Sequence, residues 1–294
     1  MIFLDPTTDL AFKKLFGDQA KKEILISFLN SVLNRKEGEK IVNVTMTNPY
    51  NDPDVDWLKL SIVDVRCVDQ QGKNYIVEVQ VEPQNDYPER SQYYASHAIA
   101  RQLKSKGRYR EVMPVIFVGI LDFNLFESAD YVQHHLILNA KTYEHALRHL
   151  EFYFIELRKF HKTIDQLDNV IDKWIYLLKN ASALDKIPSQ LQNPVELEEA
   201  MDALKQGNLS QEELMAYDRF VDARRVAESV RETALQMGHE KGREEGREEG
   251  REEGREEGKK EIKIEIARQL LSKLDAQEIA RITGLSPDEI NQLK

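Results

Sequence analysis

The run Met113-Pro114-Val115-Ile116-Phe117-Val118-Gly119-Ile120-Leu121 carries no charged or amide side chain. Side chains alternate faces along a strand, so a run that is apolar at every position predicts a central strand covered on both sides. Upstream of it, residues Tyr87 to Lys104 read as a helix closed near Gly107. Before that helix come three short stretches rich in β-branched residues, Ile41 to Thr45, Leu58 to Val68 and Asn74 to Val81. Asp69-Gln70-Gln71-Gly72 turns the last two into a hairpin. Downstream, Tyr131 to Leu138 and His149 to Leu157 predict two more strands. At the start, Phe12, Leu15 and Phe16, then Ile24, Leu25, Phe28, Leu29, Val32 and Leu33, have helical spacing interrupted at Gly17-Asp18. Helices and strands in this order predict an α/β fold, a mixed sheet flanked by helices, over residues 1–160.

Beyond residue 160 the period is helical: Leu167 to Asn180, Val195 to Gly207 and Gln211 to Gln236, a helical extension over 161–237. In 238–260, Gly238, Gly242, Gly246, Gly250, Gly254 and Gly258 recur every four residues with Arg-Glu-Glu filling most gaps. Each glycine costs a helix interior about 1 kcal/mol relative to alanine. A close-packed helix pair and a solvated spacer both fit this Gly-rich repeat. In the small helical tail, 261–294, Ala280, Gly284, Ile290 and Leu293 have helix-turn-helix spacing. Asp288 and Glu289 leave the second helix little with which to hold phosphates, so the tail reads as an interaction or folding module.

The 294 residues carry 41 Lys+Arg against 51 Asp+Glu, a net charge of −10. Residues 1–160 hold 20 against 22 and residues 161–294 hold 21 against 29. The acidic total therefore belongs mainly to the second half and does not exclude a nucleic-acid partner for the first. No apolar run approaches the ~18 residues of a membrane span, and the N-terminus lacks a signal-peptide layout. The single cysteine, Cys67, excludes an internal disulfide and a multi-cysteine zinc site. The expectation is a soluble, cytoplasmic protein with no membrane partner. No Gly-rich phosphate loop or Gly-x-Ser-x-Gly elbow is present.

Chemistry concentrates in the predicted hairpin. Asp64 lies in the stretch 58–68, and Glu78 and Gln80 share one face of the next strand while Val77, Val79 and Val81 take the other. An ionised carboxylate in a β-branched run is costly unless it is paired or binds a metal. Two such groups on strands joined by a short turn can converge on one hard cation with open water positions, which suits Mg²⁺. A half-exposed strand whose acids face solvent has the same pattern.

The Asp64…Glu78-x-Gln80 arrangement resembles the core motif of the PD-(D/E)XK nuclease superfamily. More closely, the chain resembles the Rpn family of recombination-promoting nucleases, also described as PD-(D/E)XK family transposases. The likeness runs through 9–17 (DLAFKKLFG), 25–33 (LISFLNSVL), 62–67 (IVDVRC), 76–80 (IVEVQ), 90–94 (RSQYY), 114–121, 154–160 (FIELRKF) and 172–177 (DKWIYL). It implies a restriction-endonuclease-like core and a metal-dependent DNA endonuclease, associated with recombination or mobile elements and acting as a homodimer. Asp64 and Glu78 would hold Mg²⁺, with Mn²⁺ or Ca²⁺ as alternatives. Gln80 stands where the superfamily has a lysine and, having no charge, would orient water or donate to phosphate. Asp9, or less favourably Glu23, would be an additional acid, and Gln102 and Tyr109 would line the site. Arg101, Lys104, Lys106, Arg108 and Arg110 place five bases in ten residues, suited to phosphate contacts with DNA. Arg90 could face a phosphate or a carboxylate. The alternative is a non-catalytic DNA- or protein-binding module on a nuclease scaffold, and the tail is a candidate site for a protein partner.

Overall fold

The structure, a computed structural model, describes residues 3–48, 50, 51, 61–103 and 107–293, with the backbone alone at 50, 51, 61 and 62. It divides into two compact units, Met1–Phe220 and Val221–Lys294.

The first unit opens with α1 (Asp9–Phe16) and α2 (Lys22–Leu33). The Thr8 side chain caps α1 by accepting from the Ala11 N–H, and Gly17 ends it, its N–H donating to the Lys13 carbonyl. Strands β1 (Val44–Met46), β2 (Tyr50–Asn51), β3 (Ser61–Ile62), β4 (Val65–Asp69) and β5 (Asn74–Gln80) follow. The chain then passes through α3 (Tyr87–Ala100), β6 (Val115–Leu121), β7 (Val132–Leu136), β8 (Leu150–Glu156), α4 (Val170–Asn180), α5 (Val195–Ala203) and the start of α6 (Gln211–Leu270). Six strands form one mixed sheet in the order β1-β4-β5-β6-β8-β7, while β2 and β3 pair separately.

Strand β6 is buried at all seven positions and pairs in parallel with β5 on one side and β8 on the other. This is the covered central strand that the unbroken apolar run predicts. Parallel pairing requires a crossover, and α3 supplies the one between β5 and β6. The α3 residues Tyr87, Ala95 and Ala98 join Ile76, Val115, Phe117, Leu121 and Phe154 in one apolar cluster. Elsewhere α1, α2 and α4 meet around Phe16, whose ring lies 5.0 Å from Phe12, 4.8 Å from Phe28 and 6.0 Å from Trp174. The hairpin between β4 and β5 turns as expected. Gly72 takes φ +86, and the Asp69 carboxylate accepts from the N–H groups of Gln71 and Lys73 and from the Tyr75 hydroxyl.

Two expected strands change. Ile41 to Thr45 shortens to β1 because the N–H of Ile41 donates to Asn30 Oδ1, and those of Val42 and Asn43 to Gln70 Oε1. Side-chain acceptors replace the ladder there. The 58–68 strand is broken: β3 ends at Ile62, β4 begins at Val65, and Asp64 lies in a bend between them. Residues 58–60 of that expectation lie outside the described residues.

In α6 the glycines from 238 to 258 sit within one continuous helix. The second unit ends in α7 (Ala276–Thr283) and α8 (Pro287–Asn291), joined through Gly284 at φ +71. Ala267, Ile279, Leu285 and Ile290 form its buried core. Glu289 accepts from the Ser286 N–H in a capping box, so one of the acids noted in α8 starts that helix. Among the described residues no helix is long and apolar enough to cross a membrane.

Gly119 of β6 stands beside Glu78 of β5 in the parallel register. A Cβ there would lie 2.8 Å from the Tyr87 hydroxyl and 3.0 Å from Phe154 Cδ1. Gly119→Ala should therefore lower stability in urea unfolding by about 1–3 kcal/mol. Adding Tyr87→Phe should recover part of the loss; no recovery would contradict this account of the glycine.

Candidate functional site

Ile76 faces the cluster beneath α3, and the alternation along β5 places Glu78 and Gln80 on that same face. The first pair of the β4–β5 ladder is Val65 opposite Val77, and one step before it the bend brings Asp64 to the β5 strand beside Glu78. Asp64 Oδ2 accepts from the Val79 N–H at 2.9 Å. Where β4 is interrupted, the carboxylate thus takes a strand donor that would otherwise need a carbonyl partner. The bend and the orientation of Asp64 have one cause.

Glu78 is 7% exposed, and its Oε2 is buried with no hydrogen-bond partner. Burial, then the neighbouring Asp64 charge, push its carboxyl up to about 8, against the opposing pull of Arg90. Asp64 is raised too, first by burial, while the Val79 hydrogen bond acts to keep it ionised. Near neutral pH the Glu78 carboxyl, raised to about 8, thus favours its protonated form. The strand therefore buries its acid rather than turning it to solvent.

Gln80 is not a free amide. Its Oε1 accepts from Arg90 Nη2 at 2.6 Å, and its Nε2 donates to the Glu82 carbonyl at 2.9 Å. Arg90 Nη1 donates to Gln84 Oε1. The guanidinium lies 4.9 Å from the Tyr87 ring centre and 5.9 Å from that of Tyr94. Arg90 stands by the carboxylates and lowers the proton affinity of both. Sequence reasoning assigned no role to Tyr87, Gln84 or Tyr94. The spacing Tyr87, Arg90, Tyr94 on one helix carried a signal, since residues three and four apart share a face.

The remaining candidates are dispersed. Asp9, in the first turn of α1, is largely exposed, pairs with Lys13 at 2.9 Å and acts on Asp64 by its charge. Glu23 lines a cleft of about 850 Å³ with Asn30, Arg35 and Asp130, without Asp64 or Glu78. Both ends of the Gln102 amide bind the Met113 backbone, at 2.9 and 2.7 Å. Arg101 caps the end of α3, and Arg108, Tyr109 and Arg110 are exposed in or beside the short turn that follows. Eleven helical residues put Arg101 about 16 Å along α3 from Arg90. Lys104 and Lys106 lie outside the described residues. His145 and His149, four apart in sequence, lie in a loop rather than on one helix face.

Among the described residues no group of three His, Cys, Asp or Glu could hold a metal ion. Asp64 and Glu78 offer two hard oxygen donors, one of them an orphaned buried atom, which fits a cation that keeps most of its waters. A carboxyl raised from 4.5 to about 8 keeps in the fold a proton that the unfolded chain loses. Stability of the metal-free protein should then fall as pH rises from about 4.5 to about 8. Glu78→Gln should remove that fall, its advantage over wild type in urea unfolding growing on the order of a few kcal/mol across the window. Parallel pH profiles for the two proteins would contradict the assignment.

A family model described as PD-(D/E)XK nuclease family transposase matches residues 6–234. A second, described as Rpn/YhgA-like nuclease family, C-terminal HTH domain, matches residues 260–294. No curated protein and no solved structure matches the chain. The first match spans most of the chain, including the sheet, the bend at Asp64 and α3, and the second covers the helices around Gly284. The chain belongs to the PD-(D/E)XK nuclease family of transposases and carries an Rpn/YhgA-like C-terminal helix-turn-helix domain.

Proposed function

We propose that the protein is a divalent-cation-dependent DNA endonuclease whose site is the Asp64–Glu78 pair. The observation that carries this reading is the buried, unpartnered Oε2 of Glu78 beside Asp64. A carboxyl held that far from its ordinary titration range exchanges its proton for a cation, and a family fold of nucleases surrounds it. A cation held by Asp64 and Glu78, Mg²⁺ or else Mn²⁺, would supply polarisation of the phosphate and a more acidic water, while Ca²⁺, which acidifies its waters less, would hold DNA without cutting it. The Val79 N–H aims Asp64 and favours its ionised form, and Glu78 would give up its proton as the site fills. Hydrolysis joins a water oxygen to phosphorus and breaks the bond to the 3′-oxygen, which takes up a proton as the water loses one to solvent.

Arg101, Arg108 and Arg110, with Lys104 and Lys106, would supply the charge that holds DNA phosphates along the backbone, and Tyr109, exposed, would stack on a base. Gln102 supports them by pinning the Met113 backbone. We assign Asp9 to tuning the charge at Asp64, action as a homodimer to the intact protein, and its role to recombination or mobile elements in the cytoplasm. The tail, whose α8 carries Asp288 and Glu289, is assigned to protein contact rather than base reading.

Plasmid nicking tests the reading. Wild type should nick with Mg²⁺, and Asp64→Ala and Glu78→Ala should each lose about 10²-fold or more. Unchanged cleavage in both variants would remove the site assignment. A wild type silent with Mg²⁺ and Mn²⁺ would favour the non-catalytic scaffold.

A further inference from the structure

A phosphodiester is an anion, and the site proposed above presents it with two carboxyl groups. A positive protein group beside the bound cation would add to the charge that meets it, and the residues at the site narrow the choice. Lys13 is paired with Asp9 at 2.9 Å. Gln80 has no charge, and both ends of its amide are engaged. Arg90 is the cation whose charge acts on both Asp64 and Glu78.

The way Arg90 is held is informative. An arginine near acids usually ends in an ion pair that cancels its charge. Here the two ends of the fork donate to neutral carboxamides, Gln80 Oε1 and Gln84 Oε1, so position is fixed while the full charge remains. The Nε is buried and has no hydrogen-bond partner, and the aromatic rings of Tyr87 and Tyr94 flank the group. A rigid planar fork suits this clamp, and a flexible ammonium does not.

We propose that Arg90 is the cationic group that meets the scissile phosphate, and that Gln80 is a positioning residue that holds Arg90 in place without neutralising it. This rests on the endonuclease reading of the same site. It also accounts for residue 80. A lysine there would remove the acceptor that Arg90 binds and set one cation against another. Position 80 needs a neutral acceptor because the positive charge arrives from α3.

The test uses the full chain in two arms. In single-turnover nicking with Mg²⁺, Arg90→Ala should slow cleavage about 10²-fold, and added guanidinium should restore part of the rate. Gln80→Lys should lower the rate. If Gln80 were a weakened lysine position, Gln80→Lys would instead raise it. In the second arm, anisotropy of a short fluorescein-labelled duplex with Ca²⁺ should show Arg90→Ala binding about tenfold more weakly than wild type. Arg90→Lys, which keeps the charge and loses the fork, should fall between the two in both arms.

A Gln80→Lys protein faster than wild type, or Arg90→Ala cleaving at the wild-type rate, would overturn the proposal. A wild type that does not cleave would remove the endonuclease reading, leaving the binding arm to decide Arg90. Equal affinity of wild type and Arg90→Ala in that arm would overturn it as well.

Discussion

The rest of the site depends on one unfavourable placement, the removal of the Glu78 carboxyl from water beside a second carboxylate. Burying a charge without a partner costs several kcal/mol, and a protein ordinarily avoids it by pairing, by metal binding or by holding a proton. Glu78 takes the last course in the metal-free fold, with Asp64 raising its proton affinity further. A fold that maintains such a group has a small, local reservoir of free energy that a cation can release. Asp64 is raised by burial as well, but the Val79 N–H sets its direction and favours its charge.

The architecture holds this arrangement from three sides. Strand β6 supplies a rigid floor, buried along its length and paired in parallel on both sides. Gly119 leaves room for the Tyr87 ring in the register beside Glu78. The ring in turn supports the Arg90 guanidinium. The break in the strand before β4 frees Asp64 to reach across and satisfy β5 by a side chain. Gly119 and the break before β4 lower local regularity in the sheet and each makes room for a directed polar group, the pattern expected where function departs from ideal structure.

Much of the fold was legible because it is written in period and composition. The unbroken apolar run 113–121 gave the central strand, and the Asp69 to Gly72 turn gave the hairpin. The faces of Glu78 and Gln80 followed from alternation. What sequence did not give depends on tertiary partners. The bend at Asp64 interrupts a run rich in β-branched residues, and the hydrogen bond from the Val79 N–H accounts for it. Gln80 looked free to orient water because nothing in the chain announces that Arg90, ten residues on, occupies it. Likewise Arg101, which opens the basic run, is close to Arg90 in sequence, whereas α3 carries it about 16 Å along the helix from Arg90. Glycines every four residues left a close-packed helix pair and a solvated spacer equally open; in the structure they lie, exposed, within one continuous helix.

The central claim is that the Asp64–Glu78 pair exchanges a proton for a cation. Calorimetry of Mg²⁺ binding near neutral pH, repeated in buffers of different ionisation enthalpy, measures that exchange directly. The account predicts release of about one proton per cation by wild type and none by Glu78→Gln. Binding without proton release by wild type, or with the same release by Glu78→Gln, would contradict it.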